Sequence, residues 1–185
     1  LYHDVGKLHA PDWFIENQKD GPNPHDALND PEQSAAVLQA HVDEGLKLAK
    51  RHRLPRPIAD FIPEHQGTLK MGFFLHKARQ INPNIEERRF RYHGPPPRSK
   101  ETGILMLADG CEAALRSLPP DTSEAEAKDT VRRIVESRQV DGQLRKSGLS
   151  RSEVELVVQA FVKVWRRMRH RRIPYPIPAR PRHSA

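Results

Sequence analysis

At 185 residues, with 36% apolar and 30% charged side chains, the chain has enough interior for one ordinary domain with a real core and polar extensions. It contains no run of 18 apolar residues, which excludes a membrane-spanning helix within it, and its one cysteine, Cys111, excludes an internal disulfide or a cysteine-based zinc site and points to a reducing compartment. The net charge of +7 sits at the end: residues 165–185 hold seven arginines and no acid, leaving 24 basic against 24 acidic residues before them. A body that balances its charge is not the broad basic face of a duplex-binding protein, so duplex nucleic acid is not an expected partner. Only the tail is a candidate for phosphate or anionic-lipid contact.

The chain opens on Leu1-Tyr2-His3-Asp4-Val5-Gly6-Lys7. His3-Asp4 offers a borderline metal ion one imidazole nitrogen and one carboxylate from neighbouring positions, and the carboxylate can bridge to a second ion. Beginning on Leu inside a motif, without a charged and apolar leader, the sequence reads as an excised piece whose upstream helices are missing and which carries no export signal of its own. Gly, Pro and Asn then crowd residues 20–31; His25-Asp26 repeats the His-Asp pair there, but in a predicted loop, which makes it a rim element and not a ligand pair.

Asp30-Pro31-Glu32-Gln33 predicts a helix start, with Asp as N-cap and Pro at the first helical position, running to about Arg53. Its predicted apolar stripe is Val37, Leu38, Val42, Leu46, Leu48 and Ala49, and His41 falls inside it. In the next segment Ile58, Phe61 and Ile62 set the inward face, and His65 follows on it. Ser99 predicts another helix with Ile104, Leu107, Ala108, Cys111, Ala114, Leu115 and Leu118 on one side. Asp109 sits at the margin of that stripe, mid-helix, where its propensity is poor. Ser123-x-x-Glu126 and Ser150-x-x-Glu153 are capping boxes, each ahead of an amphipathic run. Alternating β-branched stretches are absent, so the expected fold is an all-α helical bundle of about six helices. Residues 1–176 form the domain, and 177–185 a basic Pro/Arg-rich tail.

A buried histidine bonded to a backbone carbonyl would explain one such anomaly. It does not explain the recurrence. Three helices each turn one metal donor inward, His41, His65 and Asp109, and His3-Asp4 adds two more; burying such a carboxylate without a cation would be costly. The pattern is that of a metal centre inside a helical bundle.

These residues also carry a family resemblance. His3-Asp4-Val5-Gly6-Lys7, Asn23-Pro24-His25, Ser34 with His41, Glu64-His65-Gln66-Gly67-Thr68, Phe90-Arg91-Tyr92 with Gly94-Pro95, Ser99-Lys100-Glu101 and Met106-Leu107-Ala108-Asp109 together resemble the cytoplasmic HD hydrolase domain of the bacterial seven-transmembrane HD family. The resemblance runs to about Ile173-Pro174-Tyr175-Pro176. It implies a metal-dependent phosphodiesterase that opens cyclic di-AMP to the linear dinucleotide with two divalent ions, commonly iron or manganese. It further implies His3, Asp4, His41, His65 and Asp109 as ligands with Asp4 bridging, and a parent protein anchored in the bacterial inner membrane. The family places a second histidine where this chain has Gln66, which makes Gln66 a weaker candidate ligand, and a proline where it has His93. A further family ligand would lie upstream of Leu1.

Two ions about 3.5–4 Å apart generate a hydroxide at neutral pH and stabilise the charge of in-line attack, so no protein nucleophile is required beside the catalytic Asp4. Lys7, close behind His3-Asp4, is expected to neutralise a phosphate oxygen. Arg98, Ser99 and Lys100, two cations at a helix start, form the expected site for the substrate's second phosphate. The alternatives are an HD phosphohydrolase acting on another nucleotide, and a cyclic-dinucleotide-sensing module weakened at Gln66. The cyclic di-GMP branch is disfavoured because its His-His-Glu and Gly-Tyr-Pro signatures are absent.

Overall fold

The computed structural model describes residues 2–18 and 23–169. One short helix, α1 at Pro24–Leu28, leads to its axis, the long helix α2 at Pro31–Arg51. Asp30 caps α2 as the sequence predicts, one carboxylate oxygen accepting from the Glu32 and Gln33 backbone N–H groups at 2.9 and 3.0 Å. Pro31 occupies the first position, where its missing N–H is not needed. The helix ends two residues short of the predicted Arg53, which instead turns the chain at a φ of 52°. Its buried face is Ser34, Ala35, His41, Val42, Gly45 and Ala49. Leu46, predicted on that face, is 39% exposed, because it lies just outside the edge of the stripe, about 80° from its centre at 100° per residue.

Two four-residue helices follow, α3 at Arg56–Ala59 and α4 at Phe61–Glu64. Only α4 turns inward, burying Ile62, Pro63 and Glu64. Ile58, predicted to share that face, stands 42% exposed on α3. Gly72–Ile81 forms α5, which packs on α2 through Ala35, Leu75, Ala78 and Phe90. A single antiparallel bridge, Lys70 with Arg91, joins the two ends of this loop. Among the described residues there is otherwise no sheet pairing.

The remaining helices form a second layer: α6 at Lys100–Arg116, α7 at Glu124–Val140 and α8 at Arg151–Arg169. All three start where the capping signals predict, although Ser99 completes its box with Thr102 in place of an acid. Their core includes Met106, Leu107, Val131, Val135, Val158 and Val162; each side chain fully removed from water contributes about 1.5–3 kcal/mol. The count exceeds the expected six because α1, α3 and α4 are single short pieces. His25-Asp26, expected in a loop, lies within α1. No described helix is long and apolar enough to cross a membrane. The basic tail beyond Arg169, with its candidate lipid contact, lies outside the described residues.

The first motif is fastened to α2 by backbone contact. A 3-10 turn, Val5–His9, lies on the helix with Gly6 buried. A Cβ at Gly6 would stand 1.8 Å from the His41 carbonyl oxygen and 2.5 Å from the Gly45 nitrogen. Neither atom belongs to a flexible side chain, so the turn would have to lift off. Gly6→Ala is expected to cost about 3 kcal/mol, a fall in Tm of roughly 6–12 °C by thermal unfolding. An unchanged Tm would show that this contact does not hold the motif.

Candidate metal centre

Seating Gly6 on α2 delivers His3 and Asp4 to the side of the helix that carries His41, while α4 delivers His65 from the next element. His41 and His65 are 3% and 1% exposed. Each ring uses Nδ1 against its own backbone: His41 Nδ1 lies 2.5 Å from the Leu38 carbonyl oxygen, and His65 Nδ1 lies 2.6 Å from that of Ile62. A carbonyl only accepts, so Nδ1 is the protonated nitrogen in both, and each Nε2 carries a bare lone pair. Those two Nε2 atoms face one another at 3.3 Å. Asp4 Oδ1 lies 3.3 Å from His65 Nε2 and 3.6 Å from His41 Nε2, and this buried oxygen has no hydrogen-bond partner.

Three acceptors thus converge with no donor among them. A cation reconciles them, and neutral imidazoles held through Nδ1–H to carbonyls are the form in which histidine binds metal ions. His3, Asp4 and His65 bring one ligand atom each to within 4.8 Å of one another. The donor set of nitrogen and carboxylate oxygen, without sulfur, suits iron, manganese or zinc. The residues fit a divalent metal.

The electrostatics agree. Burial alone would raise the Asp4 carboxyl pKa, but the hydrogen bonds from His3 and Lys7 and the charge of Lys7 outweigh it and hold Asp4 far below the usual carboxylate range. His41 is lowered to about 4, first by burial and then by its neighbour His65. Both groups therefore stay in their metal-binding protonation states at neutral pH. Phe14 and Tyr92 pack edge-on against His41, ring centroids 5.6 and 5.9 Å away. Burial, then the negative charges of Asp109 and Asp4, push the Tyr92 phenol up. Asp109 is half-buried and forms no hydrogen bond or ion pair among the described residues, and Gln66 follows His65 with a half-buried side chain.

The expected phosphate-binding residues are engaged inside the protein. Lys7 sits 2.8 Å from Asp4 Oδ2 and also pairs with Glu16, so its charge anchors the Asp4 carboxylate. Arg98 pairs with Glu64, Nε to Oε1 at 2.7 Å, and reaches Asp60 at 3.3 Å. Ser99 caps α6, and Lys100 pairs with Glu153 on α8. Glu64 itself, 2% exposed, was absent from the predicted site although it precedes His65. Its carboxylate accepts from Arg98 Nε, the Arg98 backbone N–H and the Thr102 hydroxyl, all within 2.8 Å. It bolts α4 to the start of α6 and so fixes His65. Gln143, 1% exposed, makes a similar bolt: it accepts from the Thr68 backbone N–H at 3.0 Å and donates to the Thr68 hydroxyl at 2.9 Å. Gly67 permits this, with a φ of 52° and room for no Cβ beside Gln143 Oε1. An acid next to an inward histidine was a readable signal for Glu64; nothing local marked Gln143.

With this geometry in place, the comparisons define the class. The HD domain profile matches residues 1–114, and the chain belongs to the HD-domain family. It is 49% identical over 181 residues to the Synechocystis protein slr0104, covering 95% of this chain and 22% of that one. It is 36% identical to the cyclic-di-AMP phosphodiesterase PgpH of Listeria monocytogenes, covering 95% and 24%, and 36% identical to PgpH of Bacillus subtilis over the same shares. The chain spans about a quarter of the length of these curated relatives. Its fold matches the crystal structure of the L. monocytogenes PgpH HD domain in complex with cyclic-di-AMP, with a TM-score of 0.86 at 34% identity over 90% of this chain and 77% of that one.

Removing Arg98 leaves the Glu64 carboxylate buried without its charge partner. Arg98→Ala is expected to cost about 2 kcal/mol, below the usual figure for a buried pair because the guanidinium end is half exposed. Adding Glu64→Gln should return part of that loss in urea unfolding. A double variant no more stable than Arg98→Ala would mean that the stranded charge is not the cause.

Proposed function

We propose that this domain is a metal-dependent phosphodiesterase that hydrolyses cyclic di-AMP to the linear dinucleotide. The observation that carries the reading is the convergence of the bare Nε2 atoms of His41 and His65 on the orphaned Asp4 Oδ1. The likeness to PgpH, through both sequence and fold, supplies the substrate class. His3, Asp4, His41, His65 and Asp109 would hold two divalent ions, iron or manganese, with Gln66 as a weaker ligand. Bound there, such ions would supply an activated water for in-line attack and charge stabilisation at the scissile phosphate. The chain's own contribution is orientation. Lys7 and Glu16 hold Asp4 ionised and aimed inward, carbonyls of Leu38 and Ile62 fix the two imidazole tautomers, and Phe14 and Tyr92 keep water from one side of His41.

Arg98, Ser99 and Lys100 line the start of α6 and remain the proposed contact for the second phosphate, which would require them to share charge with Glu64 and Glu153. In the longer protein the domain would face the cytoplasm beneath a membrane anchor, with the basic tail near anionic lipid.

The test is metal content and turnover measured together. Purified under anaerobic conditions with manganese or ferrous iron, the chain extended upstream by one helix should retain metal and cleave cyclic di-AMP in preference to cyclic di-GMP and mononucleotides. Asp4→Asn and Asp109→Ala should each lower metal stoichiometry and reduce turnover by at least about a hundredfold, the usual scale for a lost catalytic group. Metal retention without cyclic di-AMP cleavage would overturn the substrate and leave the metal centre standing. Full stoichiometry in Asp109→Ala would remove Asp109 from the ligands.

A further inference from the structure

An apolar groove of about 560 Å³ runs between the C-terminal halves of α6 and α8. Leu115 and Leu118 stand on one side of it, and Phe161, Val164, Trp165 and Met168 on the other. Val164 and Met168 are exposed. Both helices finish at the same end of this groove: the Arg169 guanidinium lies over the Trp165 ring, 4.8 Å from its centroid, and donates to the carbonyls of Pro119 and Pro120, just beyond α6. None of the residues that line it is a candidate metal ligand.

The chain that leaves the mouth of the groove has the chemistry to fill it. Residues 170–185 follow Arg169 outside the described part, and their large apolar side chains, Ile173, Tyr175 and Ile177, alternate with Pro174, Pro176 and Pro178. Proline at every second position rules out a helix, and each one lacks the N–H that an extended chain would otherwise strand against the walls. That suits this groove, because its walls are helix surfaces whose mid-helix backbone groups are already bonded and offer no ladder to a strand. Extended Pro-rich segments dock on aromatic-lined grooves, and Phe161 and Trp165 supply the rings. The lengths agree. From residue 173 to residue 177 an extended chain covers about 12 Å at 3.1 Å per residue, and α8 rises about 12 Å from Phe161 to Arg169. The three residues between, 170–172, reach about 10 Å, enough to reverse the chain into the space between two packed helices.

We propose that residues 173–177 fold back antiparallel to α8 and seat Ile173, Tyr175 and Ile177 in this groove, as the last packed element of the domain. The arginines on either side, Arg171 and Arg172 before the segment and Arg180 and Arg182 after it, stay in water, so the apolar groove takes only the uncharged stretch of a basic tail.

Trp165 reports on its own cover. In the full chain carrying Trp13→Phe it is the single indole, and its emission is expected to shift to the red when Tyr175→Asp and Ile177→Asp are added. In the otherwise unaltered full chain the same two substitutions should increase binding of the dye anilinonaphthalene sulfonate and lower Tm by about 4 °C or more, the scale of one apolar side chain losing its cover. Arg180→Ser with Arg182→Ser should change neither. A thermodynamic cycle isolates the contact: Val164→Asp should lower Tm less in the Tyr175→Asp, Ile177→Asp background than alone. Dye binding, Tm and the cycle do not depend on Trp13→Phe folding. Equal dye binding and Tm with and without the tail substitutions, or an additive cycle, would overturn the proposal. Dye binding that falls as protein concentration rises would give the groove to a second copy, and cover gained only when the chain is extended upstream would give it to that segment; either result also overturns it.

Discussion

Two imidazoles that have each given their one proton to a backbone carbonyl cannot hydrogen-bond to each other, nor to an ionised carboxylate. His41, His65 and Asp4 are held in that relation. Left without a cation, the cluster would force lone pairs and a buried charge together in a low-dielectric setting where such repulsion is strongest. The surrounding architecture makes sense as the means of holding it: Gly6 allows the first turn to touch the backbone of α2, Glu64 and Arg98 lock α4 against α6, and Gln143 clamps the turn after His65 to the far layer. Each device removes one freedom by which the acceptors could drift apart.

The division of labour between the layers follows. The elements around α2 bring His3, Asp4, His41 and His65, whereas α6, α7 and α8 supply most of the apolar interior. The layers are joined near the site, through Glu64 with Thr102 and Gln143 with Thr68.

Much of this was legible in the residues. Helix starts were, because an N-cap is local chemistry: Asp30, Ser99, Ser123 and Ser150 each declare their own hydrogen bond. His41 and His65 were, because a polar residue inside a hydrophobic period stands out against its neighbours. Leu46 and Ile58 misled, since periodicity locates a stripe only to within one residue and the break between α3 and α4 is set by packing. The partners of Lys7, Arg98 and Lys100 were hidden for a different reason. Glu16, Glu64 and Glu153 lie 9, 34 and 53 residues from them, and cations read in isolation look free. Gln143 is likewise a product of tertiary approach, with no spacing to announce it.

The central claim is that the His41, His65 and Asp4 cluster is completed by a metal cation. Anomalous diffraction from crystals grown with manganese, recorded on both sides of the manganese edge, tests it most directly. The account predicts a peak at coordination distance from His41 Nε2, His65 Nε2 and Asp4 Oδ1. A fully ordered structure with no peak there, and a proton or water joining the three groups instead, would contradict it.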